Sequence, residues 1–227
     1  MKIIKQKYIK FFILICLFNI LLIASSKEEF CKFTIARLKY NGGGDWYSDA
    51  SSIPNLLKFV ALNTHISVNM NEKRVSIMDN DFFNYPFLYI TGHGNIKFNE
   101  TEISRLRKHL INGGFLHADD NYGMDKSFRR EIAKLFPNID FVELPFNHWI
   151  YHCYYNFPNG LPKIHEHDNK PPQGLGIFFK GRLVIFYSYE CDLGDGWESS
   201  NVHNNPESKR SAALQMGTNI IIYSLTN

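Results

Sequence analysis

Residues 99–137, NETEISRLRKHLINGGFLHADDNYGMDKSFRREIAKLFP, have the pattern of a helix, a buried strand and a second helix in succession. Asn99 followed by Glu102 is typical of a capping box, and the apolar residues after it recur every three or four positions. Two glycines end this helix, and FLHAD (115–119) is predicted as a strand. Such alternation predicts a mostly parallel sheet covered by helices on both faces.

The alternation extends to both sides of this stretch. Apolar or alternating runs predict further strands at KFTIARLKY (32–40), FLYIT (87–91) and FVEL (141–144). A hairpin is predicted where GLGIFF (174–179) and RLVIFYSY (182–189) flank Lys180-Gly181. Helices are predicted after a cap at Ser51 or Ser52, after a cap at Asp125, and over residues 207–225. The expected fold is α/β, with a mostly parallel sheet and a C-terminal β-hairpin and helix.

The N-terminus has the pattern of a secretory signal peptide. Four lysines lie within the first ten residues, an apolar run follows from Phe11 to Ala24, and small residues precede Lys27. The alternative is an uncleaved anchor, but about 14 apolar residues are fewer than the ~20 that span a bilayer. We therefore expect residues 1–26 to be removed, which leaves residues 27–227 as a single α/β domain. The domain is expected to be periplasmic or secreted, with no stable membrane span.

Charge and cysteine content exclude several functions. The formal charge is +3, but residues 1–26 contain four of the 25 basic residues and none of the 22 acidic ones, so their removal leaves −1. Without a basic stripe, nucleic acid and anionic membrane surfaces are not expected partners. Cys31, Cys153 and Cys191 remain after cleavage and have no CxxC spacing. They allow one disulfide, but not a cysteine-rich zinc site.

Polar and aromatic residues collect in the loops that follow the predicted strands. In open α/β sheets, ligands bind beyond the carboxyl ends of the strands. These loops should therefore share one His- and Asp-lined cleft. Its predicted ligand-binding residues are Asp45, Trp46, Tyr47, Asn121, Asp195, Trp197 and Glu198. Trp46 and Trp197 are expected on the rim, where indoles beside acids suit sugar rings; the alternative is ordinary loop packing.

The predicted catalytic residues are His93, His117, Asp119 and Asp120. Adjacent carboxylates are costly to bury without a cation, so Asp119-Asp120 is expected to hold a metal or to act as a general base. The alternative is that one of the two caps a turn through Asn121 while the other faces solvent. His93, in a Gly-His-Gly turn, is expected to reach into the cleft.

A metal site is predicted in HEHD, residues 165–168. His165 and His167 should point the same way in an extended chain, and with Asp168 they offer donors for Zn²⁺, Mn²⁺ or Fe²⁺. A further ligand must come from elsewhere, and we expect both histidines to turn toward the same cleft as His117 and Asp119. The alternative is a loop held in shape by the prolines that follow it.

Several motifs resemble one known family. ARLKYNGGGDWY, YITGHGN, LINGGFLHADDNYGMDKSFRRE, LPKIHEHD and DLGDGWE, in this order from about residue 32, resemble the DUF4159 family, a bacterial domain of unknown function. The resemblance implies the class I glutamine amidotransferase-like fold, whose sheet is flavodoxin-like. Amidotransferases place a nucleophilic Cys in a G-x-C-x-G turn, whereas FLHADDNYG contains none, so thioester chemistry is not expected. This region is similar instead to the trehalose-utilisation branch of the fold, where a His occupies the turn.

Two functions remain in view. The first is a hydrolase-like enzyme that acts on a polar small molecule or saccharide, with a divalent metal as the candidate cofactor. The second is a non-catalytic ligand-binding or envelope-assembly module that has kept the fold. The titratable residues expected at one rim favour the first function, and the missing nucleophile favours the second.

Overall fold

The computed structural model describes residues 32–227, which form one compact unit. The predicted signal peptide and Cys31 lie outside the described residues. A sheet of seven strands forms the centre of this unit, in the order β2-β1-β3-β4-β7-β6-β5. The strands are β1 (Ile35–Lys39), β2 (Lys73–Ser76), β3 (Phe87–Ile90), β4 (Phe115–Asp119), β5 (Val142–Glu143), β6 (Gln173–Phe179) and β7 (Arg182–Tyr189).

The sheet is mostly parallel, as predicted. Strands β1, β2, β3, β4 and β7 pair in parallel, whereas β6 is antiparallel to both β7 and β5. The predicted hairpin is confirmed, and its second strand, β7, lies inside the sheet beside β4. The chain leaves β1 toward one edge, to β2, and leaves β3 toward the other, to β4. The strand order of the sheet therefore reverses between β1 and β3.

The helices are α1 (Ser52–Asn63), α2 (Glu100–Ile111), α3 (Asp125–Leu135), α4 (Leu193–Trp197), α5 (Ser200–His203) and α6 (Glu207–Thr226). Short 3₁₀ turns span Phe82–Asn84 and Trp149–Tyr151. Alternate residues of each strand point to opposite faces, so the sheet contributes to two apolar cores. Helices α1 and α6 pack over one face, and α2 and α3 pack over the other. Together these features confirm the predicted α/β fold, and the flavodoxin-like description is compatible with them.

The helix caps predicted from the sequence are confirmed in part. The capping box is formed, since Asn99 accepts the Glu102 N–H and the Glu102 side chain accepts the Asn99 N–H. Ser51 is the residue before α1, but its hydroxyl does not cap that helix. The prediction that Asp125 caps α3 is wrong, because Met124 holds the cap position and Asp125 is the first helical residue. Strand β2 was not predicted; only one of its side chains, that of Val75, is buried.

Membrane-spanning character is absent from the part of the chain that the structure describes. No helix within residues 32–227 combines the length and the apolar content needed to cross a bilayer.

Candidate functional site

The HEHD loop is fixed at the carboxyl end of β7 by backbone contacts. The N–H of Ile164 donates to the carbonyl of Cys191 at 3.0 Å, and Lys209 Nζ donates to the carbonyl of Ile164 at 2.6 Å. The loop is thereby tied to both the segment after β7 and helix α6. These ties bring His165 and His167 to the side chains that follow β7.

His165, Asp195 and His203 form a three-residue group at this end of the sheet. His165 Nδ1 lies 2.6 Å from Asp195 Oδ2, and His203 Nε2 lies 3.3 Å from Asp195 Oδ1. One ligand atom from each residue lies within 4.8 Å of the other two. The histidine side chains are 27 % and 30 % exposed and that of Asp195 is 9 % exposed, so the group faces solvent on one side. Two imidazoles and a carboxylate match the donors that zinc and similar divalent ions take.

The protonation of His165 follows from its second contact. Its Nε2 lies 3.0 Å from Oδ1 of Asn205, an oxygen that can only accept a hydrogen bond. Nε2 therefore carries a proton, and Nδ1 faces the Asp195 carboxylate. Two lone pairs cannot face each other at this distance, so either a proton is shared between His165 Nδ1 and Asp195 Oδ2, or a metal cation binds both residues.

His167 and Asp168 do not belong to this three-residue group. His167 Nε2 contacts Asp192 Oδ2, and its ring stacks on Tyr122 with centroids 4.5 Å apart. Asp168 instead pairs with Lys170, at 3.2 Å from Nζ. The prediction that His165, His167 and Asp168 are the ligands of one metal is therefore wrong, since Asp195 and His203 are the residues beside His165. Both histidines do approach Asp192, whose Oδ2 lies 3.6 Å from His165 Nδ1.

Buried carboxyl groups surround helix α4. Burial is the main reason why the pKa values of Asp49, Asp119 and Asp192 are each raised to about 8. The charges of Asp195 and Asp119 raise the pKa of Asp49 further, and the charges of Asp195 and Asp120 do the same for Asp192. Such groups must bind protons or lie beside a cation at neutral pH.

Asp119 anchors helix α4 to strand β4. Its carboxylate accepts the N–H of Gly194 at 2.6 Å, the N–H of Leu193 at 3.3 Å and the hydroxyl of Ser188 at 2.5 Å. A side chain at position 194 would force its neighbours to shift, because its Cβ would lie 3.1 Å from Asp119 Oδ2 and 2.9 Å from both Asp49 Oδ2 and the Tyr89 hydroxyl. Asp119 is fully buried, so in this conformation its role is to hold the site in place.

Asp120 and Asn121, which follow β4, are buried as well. Asp120 Oδ1 has no hydrogen-bond partner among residues 32–227, and burial raises the pKa of its carboxyl to about 6. Asn121 Nδ2 donates to Asp49 Oδ2 at 3.1 Å. Asn121 therefore connects the loop after β4 with the loop after β1, rather than capping a turn for Asp119 or Asp120.

His117 does not line a cleft, contrary to the prediction. Its Nε2 lies 2.9 Å from the Ser188 hydroxyl, and its ring packs against Phe186 and Trp197. Burial lowers the pKa of His117 to about 3, so the imidazole is neutral. His117 is the third residue of β4 and thus points into the core that α6 covers. Among residues 32–227, no hydrogen bond or ring contact joins His117 to His165 or His167.

Two further predicted ligand-binding residues have structural positions. The prediction that Trp197 lies on the rim is wrong, because the residue is 1 % exposed and its Nε1–H donates to the carbonyl of Ala213 at 2.8 Å. Glu198 caps helix α1 by accepting the N–H groups of Ser51 and Ser52 at 2.8 and 3.1 Å. Neither side chain is free to contact a ligand.

The loop after β1 contains the remaining predicted residues. Asp45 pairs with His93, whose Nδ1 lies 3.0 Å from Asp45 Oδ2. Trp46 is half-buried, and Tyr47, which packs edge-on against it, is 60 % exposed. The end of this loop reaches helix α4, since Asp49 lies beside Gly194. One loop thus connects the Asp45–His93 pair with the surroundings of the three-residue group.

The cysteines do not have the properties of nucleophiles. Within residues 32–227, Cys153 and Cys191 are not joined in a disulfide. Burial raises the pKa of Cys153 to about 11 and that of Cys191 well above its usual range. Because the thiolate is the reactive form, neither sulfur is activated.

Sequence reasoning missed His203, Asn205, Asp49 and the bracing role of Asp192. His203 lies in the polar stretch SSNVHNNPES, where one histidine among serines and asparagines carries no motif. Asp49 ends the Gly-rich loop and resembles an ordinary turn residue. Asp192 follows β7, and its left-handed backbone, with φ of 55°, could not be inferred from the residue type alone.

Comparison with known proteins identifies a family but no characterised relative. The sequence model of a family described as a domain of unknown function (DUF4159) matches residues 34–225. The resemblance drawn from the motifs is thus confirmed. A search of curated proteins finds no match to the chain.

Proposed function

Because the chain belongs to the DUF4159 family, whose description leaves its activity open, we propose a function from the site itself: an exported, metal-assisted hydrolase of a polar substrate. The observation that carries the proposal is the group of His165, Asp195 and His203 at the carboxyl end of β7. Side chains from three separate segments converge there, although no local motif requires them to meet.

The donor set suits a catalytic ion better than a purely structural one. Structural zinc sites are closed by four protein ligands, whereas catalytic sites use three and leave a position open. The group offers three donors, and its histidines are partly exposed. An ion of the zinc, manganese or iron class held there would supply a Lewis acid that makes a bound water acidic.

The surrounding residues would orient the ligands. The side-chain oxygen of Asn205 accepts a hydrogen bond from His165 Nε2, which leaves Nδ1 as the ligand atom. Hydrogen bonds of this kind fix the tautomer and the ring orientation of metal-binding histidines. Asp192 lies 3.6 Å from the same Nδ1 and contacts His167, so it braces both histidines.

A polar, saccharide-like substrate is proposed from the exposed residues nearby. Tyr122 stacks on His167, and both Tyr122 and Tyr47 present much of their rings to solvent. Flat aromatic faces next to acids and histidines suit the alternating C–H and hydroxyl surfaces of sugars. Trp197 no longer supports this class of substrate, because its indole is buried.

Export is proposed from the sequence of residues 1–26, with four lysines ahead of a short apolar run. Edman sequencing of the protein recovered from its native host should begin near Lys27. A chain that starts at Met1 in the membrane fraction would rule out cleavage.

The hydrolase proposal is tested with protein purified without a histidine tag. p-Nitrophenyl glycosides and p-nitrophenyl acetate serve as probes, before and after dialysis against EDTA and again after Zn²⁺ or Mn²⁺ is added back. We expect turnover that is lost on chelation and restored by one of the ions. Turnover indifferent to chelation would exclude metal assistance, and no turnover with any ion would favour the alternative below.

The alternative is a non-catalytic module that binds a polar ligand or takes part in envelope assembly. One observation favours it: His117, which the resemblance placed in the turn, lies instead within β4 and is sealed in the core against Ser188 and Phe186. A protein that binds Zn²⁺ at His165 and binds oligosaccharides without hydrolysing them would establish this alternative.

A further inference from the structure

We propose that Asp45 and His93 form a second functional site, in which Nε2 of His93 accepts a proton from a hydroxyl group or water of a ligand bound between β1 and β3. This site is separate from the group of His165, Asp195 and His203. It depends neither on a metal nor on the proposed hydrolysis.

Both oxygens of the Asp45 carboxylate contact His93. One of its oxygens accepts the backbone N–H of His93, and the other lies 3.0 Å from His93 Nδ1. A carboxylate can only accept at neutral pH, so Nδ1 carries the proton and Nε2 presents its lone pair. The His93 side chain is 54 % exposed, and among residues 32–227 its Nε2 has no hydrogen-bond partner. A carboxylate on one ring nitrogen fixes the tautomer and makes the other nitrogen more basic.

The two loops that carry this pair are bound to each other along their length. Backbone bonds join Gly44 to Asn95 at 3.1 Å and Asp45 to His93 at 3.2 Å. Gly92, with φ of +130°, must remain glycine, because a Cβ there would lie 2.9 Å from the backbone of Asp45. The imidazole is therefore held in one orientation before any ligand arrives. Fixing a side chain in advance lowers the entropic cost of using it.

The location of the pair adds an independent argument. Asp45 follows β1 and His93 follows β3, and the strand order of the sheet reverses between these two strands. Helix α1 packs over one face of the sheet and α2 over the other. Ligands of open α/β sheets bind at such a reversal point. The exposed imidazole of His93 thus lies at the position where folds of this kind bind their ligands.

The loop that contains Asp45 also reaches helix α4, which contributes Asp195 to the three-residue group. Asp45 and Asp49 belong to the same loop, and Asp49 lies beside helix α4. Four residues span at most about 14 Å when fully extended, so Asp45 lies within this distance of Asp49. A purely structural role in holding the two loops together would explain the hydrogen bonds to Asp45. It would not require His93 Nε2 to be left without a partner among residues 32–227.

The proposal is tested by the reaction of diethyl pyrocarbonate with the whole protein, followed residue by residue with peptide mass spectrometry. In this reaction an unprotonated imidazole nitrogen attacks one carbonyl carbon, forms an N–C bond and expels ethyl carbonate, which decomposes to ethanol and carbon dioxide. His65 is the matched control, because it is exposed and makes no side-chain hydrogen bond within residues 32–227. The reaction is run near pH 8.5, about two units above the ordinary pKa of a histidine side chain, so that the comparison measures nucleophilicity.

We expect His93 to react about threefold or more faster than His65, and Asp45→Asn to remove this excess while His65 is unaffected. Nitrogen-15 NMR of the imidazoles should show the Nδ1–H tautomer for His93 in the wild type. Equal rates for His93 and His65, or an Nε2–H tautomer, would overturn the proposal. Added EDTA should not change the His93 rate, which separates this result from any failure of the metal proposal.

Discussion

His165 and Asp195 meet with Nδ1 and Oδ2 2.6 Å apart, although they lie on opposite sides of the β6–β7 hairpin in the chain. Because Asn205 accepts a hydrogen bond from the other nitrogen, this contact requires either a proton shared by the two residues or a metal cation. The two states differ in one respect that can be measured: only in the second does metal binding depend on His203.

The first prediction is that His203→Ala weakens Zn²⁺ binding at least tenfold, which is about 1.4 kcal/mol. Loss of one of three ligands should have this effect, whereas Tm should hardly change, because the His203 side chain is 30 % exposed. Isothermal titration calorimetry of tag-free protein measures the affinity. His65→Ala is the control and should leave it unchanged.

The opposite result would identify the shared proton. If wild-type protein and His203→Ala bind Zn²⁺ equally weakly, the contact between His165 and Asp195 is an ordinary hydrogen bond. His165→Ala should then lower Tm without any effect on metal content.

The second prediction concerns Asp49→Asn and the pH dependence of stability. The pKa of Asp49 is raised from 3.8 to about 8, mainly by burial and next by the charge of Asp195. A carboxyl group with a raised pKa stabilises the fold below its unfolded pKa, and this contribution is lost as the pH rises through the folded pKa. The free energy of unfolding of the metal-free protein should therefore fall between pH 4 and pH 8.

Asp49→Asn should flatten this dependence by roughly 1 kcal/mol or more across the same range, since one pKa unit corresponds to about 1.4 kcal/mol. Asparagine keeps a partner for Asn121 and tolerates the left-handed backbone at this position, with φ of 54°. Urea unfolding at several pH values provides the measurement. Exposed Asp140→Asn is the control, and equal slopes for all three proteins would contradict the assignment.

The third prediction separates the two tryptophans once expected on the rim. Trp197→Ala should destabilise the fold by about 3–5 kcal/mol, because it removes a buried indole from the core. Trp46→Ala removes a half-buried ring that faces Lys39 and Arg74, and it should cost well under 2 kcal/mol. Thermal unfolding of both variants would show this difference, and similar losses would indicate that Trp197 is not a core residue in solution.

The fourth prediction is that iodoacetamide labels neither Cys153 nor Cys191 rapidly in the native protein. Burial disfavours both thiolates, and the Cys191 sulfur donates to the carbonyl of Pro162 at 3.3 Å. Labelling should become fast in 6 M guanidinium chloride. Stoichiometric labelling of either residue in buffer, with loss of turnover, would reopen the case for thiol chemistry.

Most of the fold could be predicted because its signals are local. The capping box at Asn99, the run FLHAD and the Lys180-Gly181 turn each specify an element from a few adjacent residues. Strand β2 could not be predicted in the same way, since three of its four side chains are at least partly exposed and only Val75 shows burial.

The site could be predicted less well, because side-chain direction depends on which face a residue occupies. His117 and Asp119 are alternate residues of β4, and both point into the core under α6. The position of a residue after a predicted strand indicated that it lies at the carboxyl end of the sheet. This position could not show whether its side chain points into the core or toward solvent. His203 joins the group only because the chain folds back after α4, a path that no spacing in the sequence encodes.

The position of β7 determines the order in which the chain can acquire structure. Strand β4 is buried along its whole length, and the neighbour that completes its pairing is synthesised about sixty residues later. Until β7 is available, β4 offers an apolar edge on which other chains could assemble. A polypeptide ending before residue 180 should therefore stay open, and stable folding should start only when the hairpin arrives.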